Sequence, residues 1–573
     1  MSTTRSSTSS ASASKAIDKA FKDDFGKAEK LSLPITIAIL ILAFGALAAV
    51  GIPLLLALTA VFATLGILGP ISHLIALDQT VSSVVLLIGM AVGVDYTLFY
   101  LKREREERRA GASERDAVHT AAATSGRAVL VSGITVIIAM AGLFFAGDKT
   151  FTGLGLGAII VVAMAMIGSV TVVPALLSKL GDKVDRAKVP FIGRRAGGES
   201  RAWGWVLDRV LRRPLVSAII AGSLLVALCI PAFSMHTANS GIDSLPRKLA
   251  VMKVYDRMQA AFPGNEIPAT VVVHADDVRA PQIQAALKDL KTRALATGDM
   301  GEPVSFDMSP DHQVGQLSIP IKGNGNDAAS QRAVDSLRNT IVPQTVGQLG
   351  HVDAFVSGYT AGSRDWNSLM KSRAPIVFAF VLTLAFLLLL VTFRSIVIPI
   401  KAIVLNLLSV GAAYGVLVEV FQKGHGESLL GFKSQGFVTA WLPMFLFVVL
   451  FGLSMDYHVF ILSRIREAFD KGMKTEDAVA HGIKSTAGVV TSAAAVMVAV
   501  FAIFATLSAI DFKMMGVGLA TAIFIDATVV RAVLLPATMK LLGDWNWYLP
   551  SRLSWLPRIG GEHSSPAPEP SRA

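Results

Sequence analysis

Residues 86–106 read LLIGMAVGVDYTLFYLKRERE, and residues 445–467 read FLFVVLFGLSMDYHVFILSRIRE. Each stretch sets an Asp-Tyr pair, Asp95-Tyr96 and Asp456-Tyr457, inside a long apolar run that ends in a cluster of Arg and Lys. A carboxylate in hydrocarbon is costly unless it is paired, hydrated or protonated, so an intramembrane acid marks a functional candidate. Two such acids in matching surroundings imply an internally duplicated membrane transporter whose halves share a proton-handling centre.

The composition agrees with a membrane chain. Mean hydropathy is +0.56, and charged residues are 17% of 573, against about a quarter in soluble domains. The net charge of +11 needs no polyanion, because the basic residues cluster in short loops between apolar runs, as the positive-inside rule describes. Nucleic acid is therefore not an expected partner. The single cysteine, Cys229, lies in an apolar run, so no intrachain disulfide and no thiolate metal site can form. The first thirty residues are Ser/Thr/Ala-rich and then Lys/Asp-rich, without the apolar core of a signal peptide.

Hydropathy predicts eleven spans, at about 33–50, 52–72, 82–101, 128–147, 152–178, 214–234, 375–393, 396–421, 437–462, 489–510 and 514–541. They divide the chain into a polar N-terminal segment (1–32), a first membrane repeat (33–178), a basic linker (179–213), a span (214–234), a polar block (235–373), a second membrane repeat (374–541) and a polar tail (542–573), which reads as disordered beyond Ile559. The linker carries ten basic residues against four acidic ones. With the basic loops after Asp95 and Asp456 it assigns one side to the cytoplasm and the block 235–373 to the outside. The polar start then also falls outside. A further span upstream would remove the difficulty of exporting it.

A shift of 361 residues sets Asp95 on Asp456, Arg103 on Arg464, Gly111 on Gly472, Asp116 on Asp477 and Phe151 on Phe512. Both copies cross the membrane in the same sense, so the repeat is parallel, about an axis along the membrane normal. The second copy is preceded by an external block and a span. Symmetry predicts the same prelude upstream of the first. The block itself reads as helix 247–262, strand 269–275, helix 281–295, strands 303–308 and 312–321, helix 327–341 and strand 351–357, which is the split βαβ, ferredoxin-like order. The expected fold is an α-helical polytopic membrane protein with one α+β external domain.

Several residues could carry chemistry. Asp95 is seven residues before Lys102, about 10 Å from the cytoplasmic interface, and Asp456 is fifteen after Trp441, about 22 Å from the outer one. Desolvation there disfavours the ionised form, and the neighbouring Tyr96 and Tyr457 supply hydroxyls that can donate to a carboxylate or relay a proton. A structural polar contact between packed helices is the plainer alternative. Asp526, in AIFIDATVVRAVLLP (522–536), either joins the relay or partners a basic group. Arg531 follows five residues later, about 500° round an α-helix, so the two are expected on different faces, with Arg531 structural. His458 could shuttle protons, although a satisfied interhelical histidine is the plainer reading. Ser132 could hydrogen-bond across helices, and Gly89, Gly93, Gly153, Gly155 and Gly157 allow close helix approach. The GNGN run at 323–326 lacks the Gly-Lys-Ser/Thr of a phosphate loop. No nucleophile elbow, cofactor motif or metal motif appears, so an enzyme is not expected, and the proton motive force is the expected energy source.

The runs GMAVGVDYTLFYLKREREE, TSGRAVLVSG, FGLSMDYHVFILSRIREA and DATVVRAVLLPA, with the opening KAEKLSLPITIAILILAFGALAAVGIPLLLALTAVFA, resemble the MMPL (mycobacterial membrane protein large) branch of the RND transporter superfamily. The similarity covers residues 25–545. It implies a multi-pass protein of the bacterial cell membrane that exports lipids or other hydrophobic small molecules, driven by protons. It carries Asp95-Tyr96 and Asp456-Tyr457 over as the relay centre and Ser132 as a lining residue. Membrane lipids and a lipid-like cargo are the implied partners, and a homo-oligomer is compatible with the family, which includes monomers and trimers. The chain departs from the pattern in starting just before the family's second span, without its first span and first external domain, and in Gly488, where the first copy has Arg127. The rival reading is a non-transporting scaffold, or a lipid-sensing or translocation-accessory protein.

Overall fold

A computed structural model of the chain describes residues 34–41, 47–75, 77–78, 80–181, 201–241, 252–254 and 268–556, with Gly26, Leu31 and Arg257. The polar start, the linker over 182–200, most of the helix expected over 247–262, the tail beyond 556 and the middle of the span expected over 33–50 lie outside the described residues.

Among the described residues ten helices are long and apolar enough to cross a membrane. In the first half they are α1 (Leu47–Ile71), α2 (Thr80–Arg109), α3 (Glu114–Ala146) and α4 (Lys149–Leu180). A short helix, α5 (Arg201–Arg212), leads into α6 (Pro214–Ser234). The second half holds α9 (Tyr359–Phe393), α10 (Val397–Gln422), α11 (Leu442–Asp470), α12 (Thr475–Phe504) and α13 (Ile510–Trp547). The repeat read from the sequence is thus a repeat of helices, α2-α3-α4 and α11-α12-α13. Its turns match in detail. Gly111 and Gly472 follow the two acid-bearing helices with φ of 95° and 93°, a conformation that costs glycine least.

The two acid-bearing helices are central. Every residue of Leu87–Leu101 in α2 and of Met444–Leu462 in α11 is buried, which is what a helix apolar on all sides demands. The halves are interlocked: α11 packs on α3 of the other half, and α2 packs on α12. Lys102 crosses that second contact and donates to the Ser485 carbonyl at 2.9 Å. Its ammonium lies where a side chain at position 488 would project, which accounts for Gly488 standing opposite Arg127 in the repeat. The glycines of α2 serve packing, as expected. Gly89 lies against Val61 and Val161, and a Cβ on Gly93 would come within 2.7 Å of the Ala57 Cα.

The polar block forms an α+β domain. Strands β2 (Pro268–His274), β3 (Ser305–Met308), β4 (Val314–Pro320) and β5 (Asp353–Ser357), with helices α7 (Pro281–Ala296) and α8 (Ala328–Ser336), follow the expected order. The sheet runs β3-β4-β2-β5, antiparallel throughout, with Val271 opposite both Leu317 and Val356. Val271, Val273, Ile319, Leu290 and Leu337 fill its core. The chain passes from β5 directly into α9, so this helix is at once the last element of the domain and a membrane span.

Two features differ from the sequence reading. The span expected to open at 437 begins at Leu442, because Val438–Thr439 form a short strand, β6, parallel to β1 (Thr237–Ala238). The second is α5, which falls within the expected linker 179–213. Trp203, Leu207 and Val210 recur at helical spacing, Leu207 and Val210 are buried, and the Trp203 indole donates to Thr491 Oγ1 at 2.8 Å. An apolar stripe of that period folds as a helix once it has a surface to cover.

The Gly93–Ala57 contact yields a prediction. Gly93→Val is expected to lower stability by about 1–3 kcal/mol through overpacking, read as an earlier unfolding transition of the detergent-solubilised protein. An unchanged transition would show that α1 and α2 do not pack this closely.

Candidate functional site at the seam of the two halves

α2 and α11 bring their acids to similar depth. Counted from Thr80 and Leu442, Asp95 and Asp456 lie about 21–22 Å along their helices. The Asp-Tyr pairs are crossed. Tyr457 donates its hydroxyl to Asp95 Oδ2, and Tyr96 donates to Asp456 Oδ2 at 3.5 Å. Each carboxyl is therefore addressed by the tyrosine of the other half, not by its own sequence neighbour. The geometry requires it, since consecutive side chains on a helix diverge by about 100°. The second oxygen of each acid, Oδ1, is buried and has no hydrogen-bonding partner among the described residues.

The second half adds a charged group that the first half lacks. Asp526 Oδ2 accepts from Ser454 Oγ at 2.7 Å and from the Arg531 guanidinium. Arg531 also reaches the Ser454 carbonyl at 3.2 Å, and its guanidinium carbon lies 4.2 Å from the centre of the Tyr457 ring. Asp526, Arg531, Tyr457 and Asp95 thus form one continuous chain of contacts. Asp526 and Arg531 are both buried.

The expectation that Asp526 and Arg531 point apart is wrong, and the reason is local. Residues Asp526–Leu534 form a π-helix, whose i→i+5 bonding brings residues five apart onto one face. The repeat explains its origin. Phe151 matches Phe512 at a shift of 361, but Pro174 matches Pro536 and Gly181 matches Gly543 at 362. The two glycines end their helices with φ of 48° and 51° and the same ψ of −132°. The second copy therefore carries one extra residue, and the π-helix absorbs it. The corresponding stretch of the first copy, 150–178, holds no charged residue.

The remaining candidates fall around this core. Ser132, on α3, is buried on the Asp456–Tyr96 side, and its hydroxyl makes no well-formed hydrogen bond. His458 is not the satisfied interhelical histidine expected. Its Nδ1 lies 3.4 Å from the Ser454 carbonyl of its own helix, and its buried Nε2 has no partner among the described residues. Its two-residue offset from Asp456 turns it away from the Asp-Tyr pairs towards Asp526, Arg531 and Lys401. The sequence reading passed over Ser454. The repeat held the signal, because its counterpart at a shift of 361 is Gly93: a glycine kept for packing in one copy is a hydroxyl in the other.

An interlocked bundle with paired acids at its seam and a ferredoxin-like domain in the second half defines a class of duplicated membrane proteins. The chain matches the MMPL family over residues 4–217 and 243–571 and belongs to it. It is thus a multi-pass membrane protein. It is 38% identical over 553 residues to the mycolic acid-containing lipids exporter MmpL11 of Mycolicibacterium smegmatis, covering 95% of this chain and 57% of that one. It is 36% identical over 543 residues to the heme uptake protein MmpL11 of Mycobacterium tuberculosis, covering 94% and 55%. The chain thus spans about half the length of these curated relatives. The crystal structure of SecDF, a translocon-associated membrane protein from Thermus thermophilus, superposes with a TM-score of 0.54 at 14% identity, covering 90% of this chain and 62% of that one. That likeness concerns the fold.

The buried ion pair predicts an asymmetric mutational pattern. Arg531→Met leaves the Asp526 carboxylate without its partner and is expected to destabilise by about 3–5 kcal/mol, whereas Arg531→Met combined with Asp526→Leu restores most of the loss. Denaturation of the two purified variants against the parent checks this. Equal losses in both would mean that Asp526 and Arg531 do not act as a pair.

Proposed function

We propose that this chain carries the proton-relay machinery of an MMPL-type exporter of lipids or other hydrophobic molecules, driven by the proton motive force. The observation that supports it most directly is the crossed pairing of Asp95 with Tyr457 and Asp456 with Tyr96 across the seam of two interlocked halves. Charge accounting adds to it. Arg531 is permanently charged and offsets one carboxylate, its partner Asp526. The hydrogen bonds to Asp95 and Asp456 come from neutral tyrosine hydroxyls, and two uncompensated charges at this depth are costly. Taking up a proton removes that cost, and releasing it restores the charge. Each change alters what the two helices can hold between them.

The relay proceeds through residues of both halves. Protons arriving from the outside bind at Asp95 or Asp456. The tyrosine that had donated to that carboxylate loses an anionic acceptor, and the α2–α11 seam repacks. The proton gradient supplies the energy, and it can drive the cycle only if the two arrangements of the bundle differ in proton affinity. The relative named as an exporter of mycolic acid-containing lipids supports a lipid cargo. Movement of the α+β domain, outside the membrane, would pass it on.

The rival reading is a non-transporting accessory protein. Proteoliposomes decide between them. The full chain is expected to take up protons under an imposed pH gradient, and Asp456→Asn is expected to abolish uptake and lipid export with insertion unchanged. Normal uptake and export by Asp456→Asn would overturn the relay; an absence of uptake by the unmodified chain would favour the accessory role.

A further inference from the structure

The relay lies deep in the bundle, and the α+β domain stands beyond it. The connection between them is a knot of hydrogen bonds around β1. On one side of β1 stands the first part of α9. Tyr359, Ser363 and Asn367 recur every four residues, so they share one helix face. Tyr359 donates its hydroxyl to the Asn239 carbonyl at 2.9 Å, and the Asn239 N–H donates to Ser363 Oγ at 3.2 Å. Asn367 and Thr237 bond twice, both at 2.7 Å. The domain enters the same knot through Asn326, whose amide donates to the Asn239 carbonyl at 3.0 Å and whose Oδ1 accepts from Ser363 at 2.8 Å. This gives the GNGN run a structural role.

On the other side of β1 stands Asp511, at the start of α13. Its Oδ1 accepts from Ser240 Oγ at 2.6 Å and from Thr439 Oγ1 at 2.7 Å, and the two hydroxyls are 3.0 Å apart. Thr439 ends β6, three residues before α11, the helix of Asp456, and Asp511 is on the helix of Asp526. Asp526 follows Asp511 by fifteen residues, about 22 Å of helix. The outer end of α13 and the strand that leads into α11 therefore meet at a single carboxylate oxygen. Through Ser240 that oxygen also holds the strand leading into the domain.

The geometry points to Asp511 as the positioning residue that couples the relay to the α+β domain: displacement of α11 and α13 passes through Asp511, Thr439 and Ser240 into β1, and from β1 through Asn239 to Asn326 and α9. This rests on the relay reading above. A helix transmits displacement along its axis because its hydrogen bonds hold it rigid, whereas a loop does not. Asp511 ties the residues just after β1 to one such rod, α13, and to β6, three residues before the other. The domain end is equally firm, since Arg338 of the domain grips Asp365 of α9 at 2.5 and 2.7 Å.

The test uses the full chain in proteoliposomes, with Cys229→Ser to clear the background. Spin labels at Leu74→Cys, an exposed outer-loop position of the first half, and Lys288→Cys, on the exposed face of α7, report the distance between domain and bundle. A dye reports proton uptake. On acidification of the outside, the labelled parent is expected to take up protons and change its label distance. Asp511→Leu is expected to keep proton uptake and lose the distance change. Asp511→Asn, which retains an acceptor oxygen for Ser240 and Thr439, is expected to keep both. If Asp511→Leu still shows the distance change, the coupling falls and the relay stands. If both variants lose uptake as well, Asp511 holds the fold and the coupling is again overturned. If the parent takes up no protons, the relay falls and the coupling with it.

Discussion

A carboxyl group surrounded by hydrocarbon must be supplied with partners, and here each seam acid is supplied by a tyrosine from the opposite half of the molecule. That requirement organises the rest of the bundle. The acid-bearing helices have to face one another, so α2 and α11 take the centre and are buried on every side. The close approach of α1 and α4 to α2 needs small residues, which Gly89 and Gly93 provide. The helices that follow them must then cross over, α3 to α11 and α12 to α2. Neither half could satisfy its own acid, because an Asp and the Tyr next to it leave a helix in different directions. The duplicated halves are thus obliged to fold against each other.

The domain beyond the membrane is joined to this arrangement by continuous secondary structure and by polar contacts. α9 runs from the sheet into the membrane without a break, β1 and β6 tie the chain entering the domain to the chain leaving for α11, and Arg338 clamps the two bodies together. Apolar packing sets where the spans lie. The directional bonds, which fix one geometry over its neighbours, are concentrated at the seam and at the base of the domain.

Much of this was legible beforehand, for identifiable reasons. Hydropathy locates spans because hydrocarbon thickness sets a helix length, and the α+β order follows from alternation of period two and period 3.6. The shift of 361 placed Asp95 with Asp456, and so pointed to a shared centre. Which tyrosine serves which acid was not legible, because it depends on how two distant helices meet. The Asp526–Arg531 pair was read wrongly because an α-helical angle was applied to a π-helical stretch. The shift to 362 at Pro536 would have shown it. β6 was absorbed into a span because Val438 and Thr439 sit beside apolar residues and their strand partner is some two hundred residues away. α5 was concealed in a run counted for its charge.

The extra residue in α13 has a meaning beyond local geometry. A perfect duplication would give two seam carboxyls in identical settings, with equal proton affinities and no preferred order of occupation. Such a pair is degenerate. One inserted residue lifts the degeneracy. With it, a guanidinium lies on the ring of the tyrosine that bonds Asp95, and among the described residues the tyrosine that bonds Asp456 has no such neighbour, so the two carboxyls of a symmetric fold stand in unequal settings.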